Sequence, residues 1–179
     1  METARKTERR VQFLNNILSE MESHDIFQDC VNRGNDSESS IQKALFSRLQ
    51  GKLPSLIQEA YGYSPGKAED VVNKYFVWES KSSVSVNNFP FFSTNHRPDA
   101  ALNVEDIAIG VEIKKGEDGL SVRSGIGQSV VYATQFDFVI YFFVDETGGR
   151  DIRSSSSAEK ESELVSSLWD DFNIAFRVV

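Results

Sequence analysis

Asp99 closes the stretch His96-Arg97-Pro98-Asp99, and thirteen residues beyond it Glu112 stands in Val111-Glu112-Ile113-Lys114. Two carboxylates and a lysine are what metal-assisted hydrolysis of a phosphodiester requires. The carboxylates hold Mg²⁺ while leaving water positions open, and the ion neutralises phosphoryl oxygens and activates water. A neighbouring ammonium orients that water and stabilises the charge that develops in the transition state. The run from Ile107 to Lys114 alternates strictly, so as a β-strand it sends Ile107, Ile109, Val111 and Ile113 to one face. Ala108, Gly110, Glu112 and Lys114 share the other face, where two small residues permit close approach of a helix or a substrate. The same residues also have a plain reading, because Pro-Asp is common in turns and Glu-x-Lys on a strand is an ordinary pair of opposite charges.

Beyond the turn from Gly116 to Gly119, residues 123–133 have a helical pattern with Ile126, Val130 and Ala133 as the apolar side. Gln128 and Tyr132 are one turn apart on a different side. Pro-Asp, then Glu-x-Lys on a strand, then a helix with Gln-x-x-x-Tyr resembles the PD-(D/E)xK nuclease superfamily, and the helical pair is similar to the motif of its RecB-type branch. The resemblance implies an α/β restriction-endonuclease-like core, a central mixed β-sheet flanked by helices, here with an extra N-terminal helix. It implies Mg²⁺ or Mn²⁺ as cofactor, Asp99 and Glu112 as ligands and Lys114 as activator. Gln128 and Tyr132 would position substrate phosphate, although a polar helix face and partial burial of the tyrosine account for them equally simply.

The family also implies an acid on an upstream helix. Glu38 matches by position, as accessory ligand or outer acid, since Ile41, Ala44, Leu45 and Leu49 form an apolar stripe just after it. An acid in a first helical turn also favours the helix dipole without any catalytic duty. Glu59 and Glu69 are weaker rivals.

Composition bounds these readings. The chain has 179 residues, 40% of them hydrophobic, enough for one good core. Its longest apolar run, residues 138–144, is far too short to span a bilayer, and the charged start lacks a signal-peptide core. A cytoplasmic, soluble protein with no membrane partner is expected. Cys30 is the only cysteine and His24 and His96 the only histidines, which leaves carboxylates and lysine to carry any metal chemistry. With 27 acidic against 19 basic residues the net charge is −8, which opposes phosphate binding. Basic residues occur at Arg5, Lys6, Arg9 and Arg10 and, nearer the motif, at Arg97, Lys115 and Arg123, the three expected to meet nucleic acid. DNA is expected as substrate in preference to RNA. The alternative is a catalytically silent nuclease-fold module for nucleic-acid binding or assembly, because fold alone does not fix function.

Several elements must hold such a site. Residues 4–22 read as a helix with Val11, Leu14, Leu18 and Met21 in step, within an N-terminal extension over 1–36 that precedes a nuclease-like domain over 37–179. That stripe must be buried, either on its own domain or in a homodimer. The Glu38 helix is followed by a short helix opened by Pro54 and closed near Gly62. Residues 75–86 suggest one or two strands broken near 81–83, and residues 138–144 a strand buried on both faces. The serines from Ser154 to Ser157 read as a loop and cap before a helix through Leu164, Leu168 and Phe172, and residues 174–179 as a final strand.

Overall fold

A computed structural model describes residues 6–23, 37–78, 88–149, 151–156 and 158–179. Arg5, His24, Cys30, Asn35, Asp36, Ser157 and the expected strand break at 81–83 lie outside the described residues. The chain is mixed α/β. Its helices are α1 (Glu8–Met21), α2 (Glu38–Tyr61), α3 (Pro65–Tyr75), α4 (Gly119–Tyr132), α5 (Asp151–Ser155) and α6 (Glu159–Phe172). Its strands are β1 (Phe76–Trp78), β2 (Phe89–Phe91), β3 (Thr94–His96), β4 (Ala100–Val104), β5 (Ile107–Gly116), β6 (Phe138–Asp145) and β7 (Ile174–Val178). Five strands form one sheet in the order β1-β4-β5-β6-β7, with β1 and β4 antiparallel and β5, β6 and β7 parallel; β2 and β3 form a separate hairpin.

The chain divides into two compact units, residues 1–85 with 100–108, and residues 86–99 with 109–179. This differs from the expected boundary after residue 36. In the first unit α1 packs on α2, so the N-terminal helix is part of a core and not an extension to it. Phe13, Leu14, Ile17, Leu18 and Met21 are all buried and Val11 is partly buried, so of the two alternatives for the N-terminal stripe the structure shows packing within its own unit. Arg9 is held by Asp106 at 3.0 Å and lies 5.0 Å above the ring of Tyr61.

The helix expected to begin at Pro54 does not exist separately: Pro54 lies inside α2, which runs unbroken to a left-handed cap at Gly62 with φ 67°. Proline removes one helical hydrogen bond, but Leu49 and Leu53 on one side and Leu56 and Ile57 on the other are all buried, and this packing carries the helix through. The sequence reading missed α3, although Ser64 accepts from Lys67 N at 3.4 Å and Pro65 occupies the first turn, the residue types that start helices. Of the strands expected over 75–86, β1 is described; Tyr75 ends α3 and residues 79–87 lie outside the described part.

The second unit is built on β6, buried at every position as expected. Tyr141 stacks on Phe176 of β7 at 4.9 Å, and Leu168 of α6 joins this core. Leu164 and Phe172 are exposed, so the expected three-residue stripe of α6 reduces to Leu168, with Trp169 stacked on Phe138 at 5.9 Å. The serine run is not a simple loop: Ser154 and Ser155 lie in α5, and Ala158 precedes α6 without a side-chain cap bond.

Helix α4 starts earlier than expected, because Asp118 caps it by accepting from Ser121 N at 2.8 Å, which holds the carboxyl below its ordinary range. Its fully buried residues are Gly125, Ser129 and Tyr132, while Ile126, Val130 and Ala133 are partly covered. The helix approaches the sheet so closely that a Cβ on Gly125 would overlap the Tyr141 ring, which is itself fully buried. Gly125→Ala should therefore cost about 1–3 kcal/mol by overpacking. A fall in melting temperature of roughly 2–12 °C is expected for a chain of this size; an unchanged thermal scan would mean that α4 sits farther from the sheet.

Candidate functional site

Four residues of the second unit converge between β5, α4 and the segment leading into β4. Strand β5 is covered on both faces, so Glu112 is only 1% exposed. The small residue Gly110 admits a close neighbour, which is not a helix but Phe136 in the segment after α4, whose ring would lie 3.0 Å from a Cβ on Gly110. Lys114, two residues on and therefore on the Glu112 face, places Nζ 3.0 Å from Glu112 Oε1, its side chain 23% exposed. Asp99 precedes β4, and its Oδ2 accepts the Ile113 backbone N–H at 2.7 Å, which ties the Pro-Asp segment to the strand carrying Glu112 and Lys114.

The electrostatics are those of two carboxylates crowded by burial. Desolvation first, and then the Asp99 charge, push the Glu112 carboxyl up from 4.5 to about 7, while Lys114 and Tyr132 pull it down. Tyr132 is buried and its hydroxyl donates to the Arg97 carbonyl at 2.9 Å. Burial, followed by the Glu112 and Asp99 charges, moves that phenol far above its ordinary value, so it serves as a neutral donor. Removing the hydroxyl in Tyr132→Phe should cost about 1 kcal/mol. It also takes away a group that lowers the Glu112 pKa. The acid limb of a pH–rate profile should therefore move to higher pH; an unmoved limb would separate Tyr132 from the carboxylates.

In the second unit three buried oxygens have no hydrogen-bond partner among the described residues: Glu112 Oε2, Gln128 Oε1 and Ser129 Oγ. An unpartnered buried carboxylate oxygen is costly unless an ion or water completes it. Hard oxygen donors suit Mg²⁺ or Mn²⁺, and Mg²⁺ usually keeps several waters and takes one or two carboxylates. Asp99 and Glu112 fit that requirement. Among the described residues no group of three or more His, Cys, Asp or Glu side chains could hold a metal. Glu38 lies in the first turn of α2, directly after the Ser37 cap, a position at which the helix dipole favours an acid.

Compared with family models, curated proteins and solved structures, this chain matches none.

The three basic residues expected to meet nucleic acid have different environments. Arg97 is exposed, immediately before Pro98-Asp99. Lys115 points to the face opposite Lys114, and its Nζ is paired with Glu146 at 2.7 Å. Arg123 is exposed and lines a cleft of about 550 Å³ with Glu117, Asp118 and Glu161; none of Asp99, Glu112, Lys114, Gln128 or Tyr132 lines that cleft. Among the described residues no helix is long and apolar enough to cross a membrane.

Two features escaped the sequence reading. Asp145, fully buried at the end of β6, accepts from Thr147 N, Thr147 Oγ1 and Arg153 N at 2.7–2.9 Å and so anchors the start of α5. Its signal was an Asp-x-Thr closing an apolar run, an ordinary turn-forming pattern. The β2–β3 hairpin is the other, and its turn residues, Phe92-Ser93, gave no turn signal.

Proposed function

We propose that the protein is a metal-dependent nuclease of the restriction-endonuclease-like type, hydrolysing phosphodiester bonds with DNA as the preferred substrate. The single observation that carries the reading is the buried Glu112 carboxylate, held by Lys114 through Oε1, crowded by Asp99, and left with Oε2 unpartnered. A structural ion pair would need no second acid beside it. In this reading Asp99 and Glu112 would hold the ion, which would supply charge neutralisation and a more acidic water. Lys114 donates to the attacking water and to the phosphoryl oxygen that gains charge. The water oxygen bonds to phosphorus and gives up a proton to solvent, while the bond from phosphorus to one ester oxygen breaks and that oxygen takes a proton from solvent. Gln128 orients the water or the phosphate through its buried Oε1, and Tyr132 fixes the Arg97 segment on which Asp99 depends.

The experiment is incubation of the full chain with linear, circular, branched and single-stranded substrates in Mg²⁺ or Mn²⁺. Cleavage lost in Asp99→Asn and in Glu112→Gln supports the reading; no cleavage of any substrate overturns it. The net charge of −8 favours the second reading, a silent module of this fold, which requires neither cleavage nor metal response.

A further inference from the structure

The β2–β3 hairpin turns on two residues, Phe92 and Ser93, with φ of 47° and 61°. A two-residue turn with left-handed backbone at both positions is normally Asn-Gly or Asp-Gly, because a Cβ with a bulky ring is disfavoured there. Phe92 is also 90% exposed, more than any other large apolar side chain among the described residues. This position thus carries backbone strain and apolar exposure together, offset only by the edge contact of its ring with Phe91 at 4.7 Å. An observed outlier of this kind points toward function.

The hairpin is not a loose appendage. Its aromatic rings form a ladder: Phe91 is edge-on to His96 at 6.0 Å, His96 stacks on Phe89 at 6.1 Å, and Phe89 is edge-on to Tyr132 at 6.0 Å. Tyr132 also grips the Arg97 carbonyl directly after β3, and Asp99 follows two residues later. The base of the hairpin is thereby fixed on the helix beside the carboxylates, and strands of three residues lift Phe92 about 10 Å beyond it.

We infer that Phe92 is a stacking platform for an unpaired base, and that the substrate is therefore single-stranded or frayed polynucleotide and not intact duplex; this rests on the nuclease reading above. An exposed ring presents a π-face that any unpaired base can cover, whereas bases in a duplex are already stacked on their neighbours. Charge argues the same way. With net charge −8 the chain has few cations for the phosphates of either form, so stacking on a base face must carry more of the affinity, and only an unpaired base offers a free face. Arg97, exposed, follows β3 directly in the chain.

The test uses the full chain carrying Lys114→Ala, chosen to slow cleavage, with fluorescence anisotropy against labelled oligothymidylate and a blunt duplex of equal length in Mg²⁺. The single strand should bind tighter than the duplex. Phe92→Ala and Phe92→Asn should each weaken single-strand binding about tenfold or more, with duplex binding changed less than about twofold, and Phe92→Trp should retain it. Phe92→Asn should melt no lower than its parent, because asparagine suits the left-handed turn, so lost binding cannot be charged to unfolding. Equal binding of oligothymidylate by the Phe92 variants, preference of the parent for duplex, or a dimer lost in Phe92→Ala with nucleic-acid binding unchanged would each overturn the inference. If the chain with Lys114 intact cuts duplex and Phe92→Ala does so equally well, only the platform falls. If no polynucleotide is bound or cut, the nuclease reading falls with it.

Discussion

Lys114→Ala is expected to lower cleavage by about 10²–10⁴-fold, the usual range for loss of a positioned proton-transfer or electrostatic group. Divalent-metal affinity should change far less. The ammonium is a donor without a lone pair, so it holds no metal, and its place 3.0 Å from Glu112 Oε1 leaves Oε2 untouched. One indirect effect must be separated. Lys114 lowers the Glu112 pKa, so its removal drives that carboxyl further toward the protonated state. Activity should therefore be compared at a pH well above 7, where Glu112 is ionised in both proteins, with metal affinity measured by calorimetry at the same pH. Substantial turnover by Lys114→Ala under those conditions would remove lysine from the mechanism. A large loss of metal affinity would instead make the residue a support for the carboxylate.

The parts of the fold legible from sequence are those in which one local pattern and its tertiary setting agree. Strand β6 has no polar position before Asp145 and is buried throughout. In β5 the alternation put Glu112 and Lys114 on one face, and a period of two fixes that pairing without knowledge of the rest of the chain. Where packing overrides a local signal, the reading failed. Pro54 looked like a helix start and became an interior residue because leucines on both sides of it are buried. In α4 the most buried face is Gly125, Ser129 and Tyr132, since close approach to Tyr141 demands small residues where an apolar stripe was expected. Phe92 and Ser93 hid the hairpin by lacking turn chemistry.

Glu112 gives the second large effect, because its ionisation links stability, metal and pH. Burial and the Asp99 charge raise its carboxyl from 4.5 to about 7. A carboxyl with a higher pKa folded than unfolded keeps its proton preferentially in the fold. Its contribution to stability is therefore fully present below about pH 4.5 and is lost as pH rises through about 7. Metal-free protein should lose that increment across this window, and Glu112→Gln, with nothing to titrate, should not. A divalent ion requires the ionised carboxylate, so metal stabilisation should run in the opposite direction, near zero at about pH 5 and full above about pH 8. At ten times its Kd the ion would contribute about 1.4 kcal/mol, a rise of roughly 3–6 °C in melting temperature for a chain of this size. Asp99→Asn and Glu112→Gln should each erase the metal increment together with cleavage while leaving metal-free stability at pH 8 equal or higher, since each removes repulsion between the two acids. Asparagine at 99 can still accept the Ile113 N–H, which keeps that comparison free of a lost structural bond. Thermal scans at pH 8 that stay flat across millimolar Mg²⁺ and Mn²⁺ would leave the carboxylate pair without an ion to serve and would favour the silent module.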